Sequence, residues 1–137
     1  EEYQSLMRET LNQCQYPKQF TCLDFVSESE LVELYNAATS LVIPSFYEGF
    51  GFPAIEALKC GTPVIAGDNS ASKELLTGYA NLVDPRNIDA IKMALLKDLN
   101  TQDNAKIKKG ITFANQFQWK KNVIELLKEY KNAIAQR

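Results

Sequence analysis

Histidine is absent from this 137-residue chain, and with it goes the side chain that most often serves as a zinc ligand or as the base of a nucleophilic triad. Cysteine is scarce: Cys14, Cys22 and Cys60 form no Cys-x-x-Cys pair and leave an odd count, which argues against both a zinc site and a disulfide scaffold. They read as reduced, intracellular, structural thiols. No apolar run approaches the roughly 20 residues that a membrane-spanning helix needs, and no signal-peptide pattern opens the chain. Repeats, Gly/Ser linkers and low-complexity stretches are lacking too. The first residue is Glu1 rather than Met, which suggests a fragment or a processed chain.

What remains is an ordinary globular composition, 45% hydrophobic and 23% charged, at a length that suits one domain and is short for a two-domain enzyme. The net charge of -2 hides an asymmetry: residues 1–96 carry 6 basic against 13 acidic groups, and residues 97–137 carry 9 against 4. An acidic domain whose aromatics Phe46, Tyr47, Phe50 and Phe52 accompany no Arg/Lys cluster is a poor binder of nucleic acid. Those rings are expected to line a loop and the core.

Short β-like runs alternate with segments of helical period, the pattern of parallel βαβ units. Tyr3, Met7 and Leu11 stripe an opening helix, and a short strand is expected at about residues 21–25. Ser27 and Glu30 form a capping box with Val26 and Leu31 as its hydrophobic staple, so a helix should start at Ser27 and run to about Ala38, burying Leu31, Tyr35 and Ala38. Residues 41–43, 64–66 and 82–83 read as buried strands, while Pro53 and Gly61 bracket a short helix over 53–60. Further helices are expected over 70–76, 88–99, 103–115 and 119–135. In the last, Val123, Leu127, Tyr130 and Ile134 share one face, and Lys120, Lys121, Lys128 and Lys131 lie mostly elsewhere. A solvated polar face accounts for these lysines, and four are too few to claim binding to an anionic membrane.

The stretch from Pro44 to Ala57 places a strand end, a glycine-containing loop and a helix N-terminus in immediate succession. In open α/β sheets that edge is where ligands bind. Free N–H groups at a helix N-terminus suit a phosphate, and Gly49 and Gly51 let a ligand approach the main chain. Two carboxylates bracket the loop, Glu48 before the turn and Glu56 within the first turn or so of the helix; such a group accepts hydrogen bonds from the adjacent hydroxyls of a sugar. Taken singly, the glycines equally well shape a turn and Glu56 equally well favours the positive end of its helix.

Glu48 and Glu56, with seven residues between them and Gly-Phe-Gly-Phe-Pro after the first, resemble the signature of the retaining GT-B glycosyltransferases of family 4. Phe25-Val26-Ser27 ahead of Glu30-Leu31, Ala57 to Ala66, Leu82-Val83-Asp84-Pro85 and Phe117-Gln118-Trp119 look like further landmarks in family order, over about residues 20–130. The resemblance implies an α/β fold: a Rossmann-like parallel sheet with flanking helices, the C-terminal half of a GT-B fold, which binds the sugar nucleotide. Transfer would occur in a cleft against an acceptor-binding N-terminal domain, supplied by the same polypeptide or by a partner chain. Carried over by position, Glu48 would be catalytic, beside the anomeric carbon; Gly49, Phe50, Gly51 and Phe52 would hold donor sugar and phosphate; Glu56 would grip the ribose; and Phe25, Val26 and Ser27 would seat the base. The donor is a UDP-, GDP- or ADP-linked sugar and the acceptor a glycan, lipid or protein. No cofactor or metal is implied, and no Asp-x-Asp motif is present.

Two departures stand out. The family's phosphate-binding Arg and Lys lie upstream of Glu1, and Arg8 and Lys18 sit in the wrong context. Relative to the family's strand order 3-2-1-4-5-6, the two strands between the third and the fourth are missing, so the chain alone is expected to be inert. The alternative is therefore a non-catalytic accessory or nucleotide-binding subunit of the same fold; a flavodoxin-like domain leaves the Glu48 to Glu56 spacing unexplained. The expected location is cytoplasmic, with peripheral membrane contact left open.

Overall fold

The computed structural model of the chain describes residues 2–135, with side chains from residue 5 onward. It divides into two compact units, Glu1–Leu31 and Val32–Arg137. In the first, helix α1 (Glu2–Asn12) leaves Met7 46% exposed and Leu11 half-buried; the side chain of Tyr3 lies outside the described residues. A single 3-10 turn follows at Pro17–Gln19. The strand expected at 21–25 does not form: residues 20–27 are irregular, and Leu23 and Phe25 are exposed. A strand is stabilised by ladder hydrogen bonds to a neighbour, and no described segment pairs with these residues.

Helix α2 (Glu28–Ala37) begins as the sequence dictates. The Ser27 N–H donates to Glu30 Oε2 at 2.8 Å, and the Glu30 N–H donates to Ser27 Oγ at 3.3 Å, a reciprocal capping box. Hydrogen bonds from the Ser27 side chain and then its backbone hold the Glu30 carboxyl below its ordinary value of 4.5. The helix stops one residue early; of its expected face Tyr35 is buried, Leu31 is half-buried and Ala38 is exposed.

The second unit is built on three parallel strands, β1 (Leu41–Ile43), β2 (Val64–Gly67) and β3 (Asn81–Val83), in the order β1-β2-β3. Val42 pairs with Ile65, and Ile65 with Asn81. Central β2 is buried throughout, as its unbroken apolar run requires. The expected burial of β1 is not met: its three residues are half-buried, because among the described residues no strand pairs with its outer edge. Helices α3 (Phe52–Cys60) and α4 (Ser70–Leu76) make the crossovers, and α5 (Ile88–Asn100), α6 (Asn104–Ala114) and α7 (Trp119–Ala135) follow β3.

Gly61, at φ +81°, ends α3 by donating its N–H to the carbonyls of Ala57 and Leu58. Ala54, Ile55, Ala57 and Leu58 of α3 join β2, Leu76, Ala80, Val83 and Ala114 in the core. Gly110 of α6 lies so close to α3 that a Cβ there would sit 2.8 Å from Leu58 Cδ2. In α7 no residue is buried: Val123, Leu127 and Tyr130 are half-exposed and Ile134 is 73% exposed. Among the described residues no helix is long and apolar enough to cross a membrane.

The amino end of the sheet is tied by buried polar groups. Asp98 of α5, 7% exposed, accepts from Ser40 Oγ and Asn81 Nδ2 at 2.9 Å each, and Lys106 Nζ of α6 donates to Asn81 Oδ1 at 2.7 Å. Burial, and then the nearby charge of Lys97, hold the Lys106 ammonium below its ordinary value, against the attraction of Asp98 and Asp103. The small cavity beside it, about 30 Å³, has room for a water or two and for no substrate.

Candidate functional site

Because the strands are parallel, their carboxyl ends gather three loops at one edge: residues 44–51 after β1, 68–69 after β2 and 84–87 after β3. Gly67 allows the first two to touch. A Cβ on it would run into the Ser45 carbonyl oxygen and come within 2.8 Å of Asn69 Nδ2. Asn69 Nδ2 donates to that same carbonyl at 2.8 Å, and Ser70 Oγ accepts from the Glu48 N–H at 3.1 Å while donating to Asn69 Oδ1 at 3.0 Å. Ser70 has φ +38°, the one left-handed non-glycine residue among those described. The hydroxyl bridge to Glu48 is what that strained backbone supports. In the third loop Asp84 Oδ1 accepts from the Arg86 N–H at 2.9 Å, and the Arg86 guanidinium lies 5.2 Å from the centre of the Phe46 ring.

Gly51, at φ +85°, caps α3 without a side-chain bond, and a Cβ at Gly49 or Gly51 would meet nothing within 4 Å. Pro53 has no N–H, and the Ala54 and Ile55 N–H groups fold back onto the Gly51 carbonyl at 3.0 and 3.4 Å. The N–H groups of Gly49, Phe50, Gly51 and Phe52 have no partner among the described residues. Unspent donors beside open glycines at the positive end of a helix form a cradle for an anion. Glu48 is half-buried, with its carboxylate unpartnered among the described residues. Glu56 is the fifth residue of α3, one residue further in than a helix starting at Pro53 would put it and just past the first turn, so it does not serve the helix terminus. It is exposed, and its Oε2 accepts from Tyr35 Oη at 3.2 Å.

The aromatics of the loop do not enter the core. Phe46, Tyr47 and Phe52 are exposed and Phe50 is half-buried. Instead Phe50 packs at a tilt on Phe52, 4.8 Å between ring centres, and meets Phe117 edge-on at 5.6 Å, while Phe52 stacks on Trp119 at 6.1 Å. Phe113 meets Phe117 at 5.2 Å and stacks on Tyr79 at 4.0 Å. The glycine loop is thus moored by the Phe117-Gln118-Trp119 landmark, a contact across some 65 positions that no local pattern announces. Lys59 Nζ donates to the Phe117 carbonyl at 2.8 Å, which ties the far end of α3 to the same segment. Phe50, Phe52, Glu56 and Trp119 share the wall of an open pocket of about 270 Å³.

Phe25, Val26 and Ser27 belong to the first unit, where Phe25 is 92% exposed, Val26 is half-buried and Ser27 is committed to capping α2. Arg86, Asn69, Ser70 and Tyr35 are site residues that the sequence reading missed; each acts through a partner distant in the chain. All three thiols are free; Cys14 and Cys60 are half-buried and Cys22 is exposed.

Comparison with known proteins agrees with this layout. The sequence profile described as glycosyl transferases group 1 matches residues 1–110. The O-antigen chain mannosyltransferase B of Escherichia coli is 35% identical over 111 residues, 80% of this chain and 29% of the relative. A D-inositol 3-phosphate glycosyltransferase of Corynebacterium glutamicum is 38% identical over 125 residues, 86% and 29% of the two chains. The O-antigen chain mannosyltransferase RfbU of Salmonella typhimurium is 49% identical over 65 residues, 47% and 18%. The chain spans under a third of the length of the curated relatives it matches. A profile match over most of the chain, the relatives' identity and a parallel α/β sheet lead to one conclusion: this chain belongs to glycosyl transferases group 1, as part of the C-terminal domain of a GT-B glycosyltransferase.

Proposed function

We propose that this chain is the donor-binding part of a retaining, metal-independent glycosyltransferase that moves a hexose from a UDP-, GDP- or ADP-linked sugar to a glycan, lipid or protein acceptor. The observation that carries the reading is the pairing of two carboxylates, Glu48 and Glu56, with the four unpartnered N–H groups of residues 49–52. Breaking the bond between the anomeric carbon and the diphosphate puts charge on phosphate oxygen. The N–H groups and the positive end of α3 stabilise that charge where it develops. Glu48 lies beside the anomeric carbon and stabilises the positive charge growing there, and Glu56 reads the ribose diol. Arg86, held by Phe46 at the same sheet edge, adds a cation to the donor side. The exposed Phe25, with Val26 and Ser27, seats the base. An N-terminal domain or partner chain brings the acceptor. Two of the relatives carry the name O-antigen chain mannosyltransferase, which favours a mannosyl donor and polysaccharide assembly; the location proposed for that assembly is the cytoplasm.

The test uses the natural polypeptide that carries this chain. Calorimetric titration with UDP, GDP and ADP is expected to show saturable binding of one nucleotide, weakened in Glu56→Ala. Glu48→Gln is expected to keep donor binding and to lose about 10²- to 10³-fold in turnover. A folded protein that binds none of the three would favour a non-catalytic subunit, and a Glu48→Gln variant with undiminished turnover would remove Glu48 from the chemistry.

A further inference from the structure

Tyr35 is 8% exposed, so its hydroxyl needs a partner within the protein. Among the described residues that partner is Glu56 Oε2, at 3.2 Å. The same residue is held at its backbone: Thr62 Oγ1, 4% exposed, donates to the Tyr35 carbonyl at 2.6 Å. Thr62 follows directly on Gly61, the residue that ends α3. One tyrosine of α2 is therefore tied both to the exit of α3 and to a carboxylate in the middle of it.

The tie leaves the working side of Glu56 open. The residue is exposed, and its Oε1 has no partner among the described residues. A glutamate on a solvent-facing helix surface otherwise samples several rotamers and loses that freedom when a ligand binds. From this geometry we infer that Tyr35 is a positioning residue: its hydroxyl pins Glu56 Oε2 so that the carboxylate presents Oε1 to two adjacent hydroxyls of the bound nucleotide. The inference rests on reading Glu56 as the ribose ligand. Burial, and then the charge of Glu56, push the Tyr35 phenol up from 10.0 to about 12, so it stays a donor at any working pH.

The test compares UDP, GDP and ADP, each with its 2′,3′-dideoxy counterpart, by titration of the natural polypeptide and of Tyr35→Phe, Glu56→Ala and the double variant. Tyr35→Phe keeps the buried ring and removes the hydroxyl alone. It is expected to weaken the ribonucleotide that binds by roughly threefold to tenfold, the scale of one ordinary hydrogen bond, and to leave the dideoxy form unchanged. In Glu56→Ala the ribo preference should vanish, and adding Tyr35→Phe should then change nothing. Glu56→Asp, an exposed change that draws the carboxylate back from the phenol, should narrow the preference in the same sense. Equal weakening of ribo and dideoxy forms by Tyr35→Phe, or no weakening of either, overturns the positioning role. A Glu56→Ala variant that keeps the full ribo preference overturns the ribose reading itself.

Discussion

Replacing Gly67 by alanine would drive a methyl group into the carbonyl oxygen of Ser45 and to 2.8 Å from Asn69 Nδ2. The first obstacle is main chain, so no rotamer change relieves it; β1 and β2 must part at their carboxyl ends. Overpacking of this kind costs about 1–3 kcal/mol, and the Asn69 to Ser45 hydrogen bond that is strained or lost adds about 1 kcal/mol. The expected total is about 2–4 kcal/mol, or on the order of 10 °C in the unfolding midpoint of a domain this size. Gly110→Ala supplies the control. Its Cβ would meet Leu58 Cδ2, also at 2.8 Å, but that atom ends a flexible side chain, and alanine is about 1 kcal/mol better than glycine inside a helix. Its net effect is therefore expected within about 1 kcal/mol of zero. Both variants would be measured by calorimetric unfolding, with hydrogen exchange of peptides covering β2. A Gly67→Ala protein as stable as Gly110→Ala would refute the claim that the strand ends touch. Donor affinity should fall with Gly67→Ala as well, since the same displacement moves Ser70 away from the Glu48 N–H.

Other tests address the rest of the molecule. Asp98→Ala leaves Ser40 Oγ and Asn81 Nδ2 without their acceptor; a loss of about 1–3 kcal/mol in denaturant unfolding is expected, and an unchanged midpoint would dismiss the network as a stabilising tie. Above pH 10 the unfolded chain loses the Tyr35 proton while the folded chain keeps it to about 12, so stability should fall across that window. In Tyr35→Phe that part of the decline should disappear, as alkaline denaturation would report. Glu30 contributes in the opposite sense: its depressed carboxyl helps the fold above 4.5, and the help is lost as pH falls through the lower folded value. In Ser27→Ala, NMR titration should find the Glu30 carboxyl moved back up toward 4.5.

What the sequence made legible was local. The capping box of Ser27 and Glu30 and the glycine stop at Gly61 act over three or four residues, so their residue types suffice to place α2 and the end of α3. The three strands were legible as apolar runs bounded by breakers, and the bracket of Glu48 and Glu56 as a spacing. Pairing was not. Residues 21–25 have the composition of a strand but find no ladder among the described residues, and β1 is only half-buried for a related reason. Equally hidden were contacts set by packing. The Tyr35 to Glu56 bond spans 21 positions, and the aromatic row joins Phe50 to Phe117. Nothing in either partner's neighbours in the chain encodes such a bond.

The Asp98 network gives the two ends of the sheet different freedom. At the amino end, the lead into β1, the start of β3, α5 and α6 are joined by buried or half-buried side chains. At the carboxyl end, the loops are joined by an exposed serine, a half-buried asparagine and an arginine resting on a ring. Thermal motion should therefore concentrate where ligand meets protein, and the strands behave as levers clamped at one end. On the proposed reading, a nucleotide in the cradle would shift the loops after β1 and β2 without loosening the helices packed below.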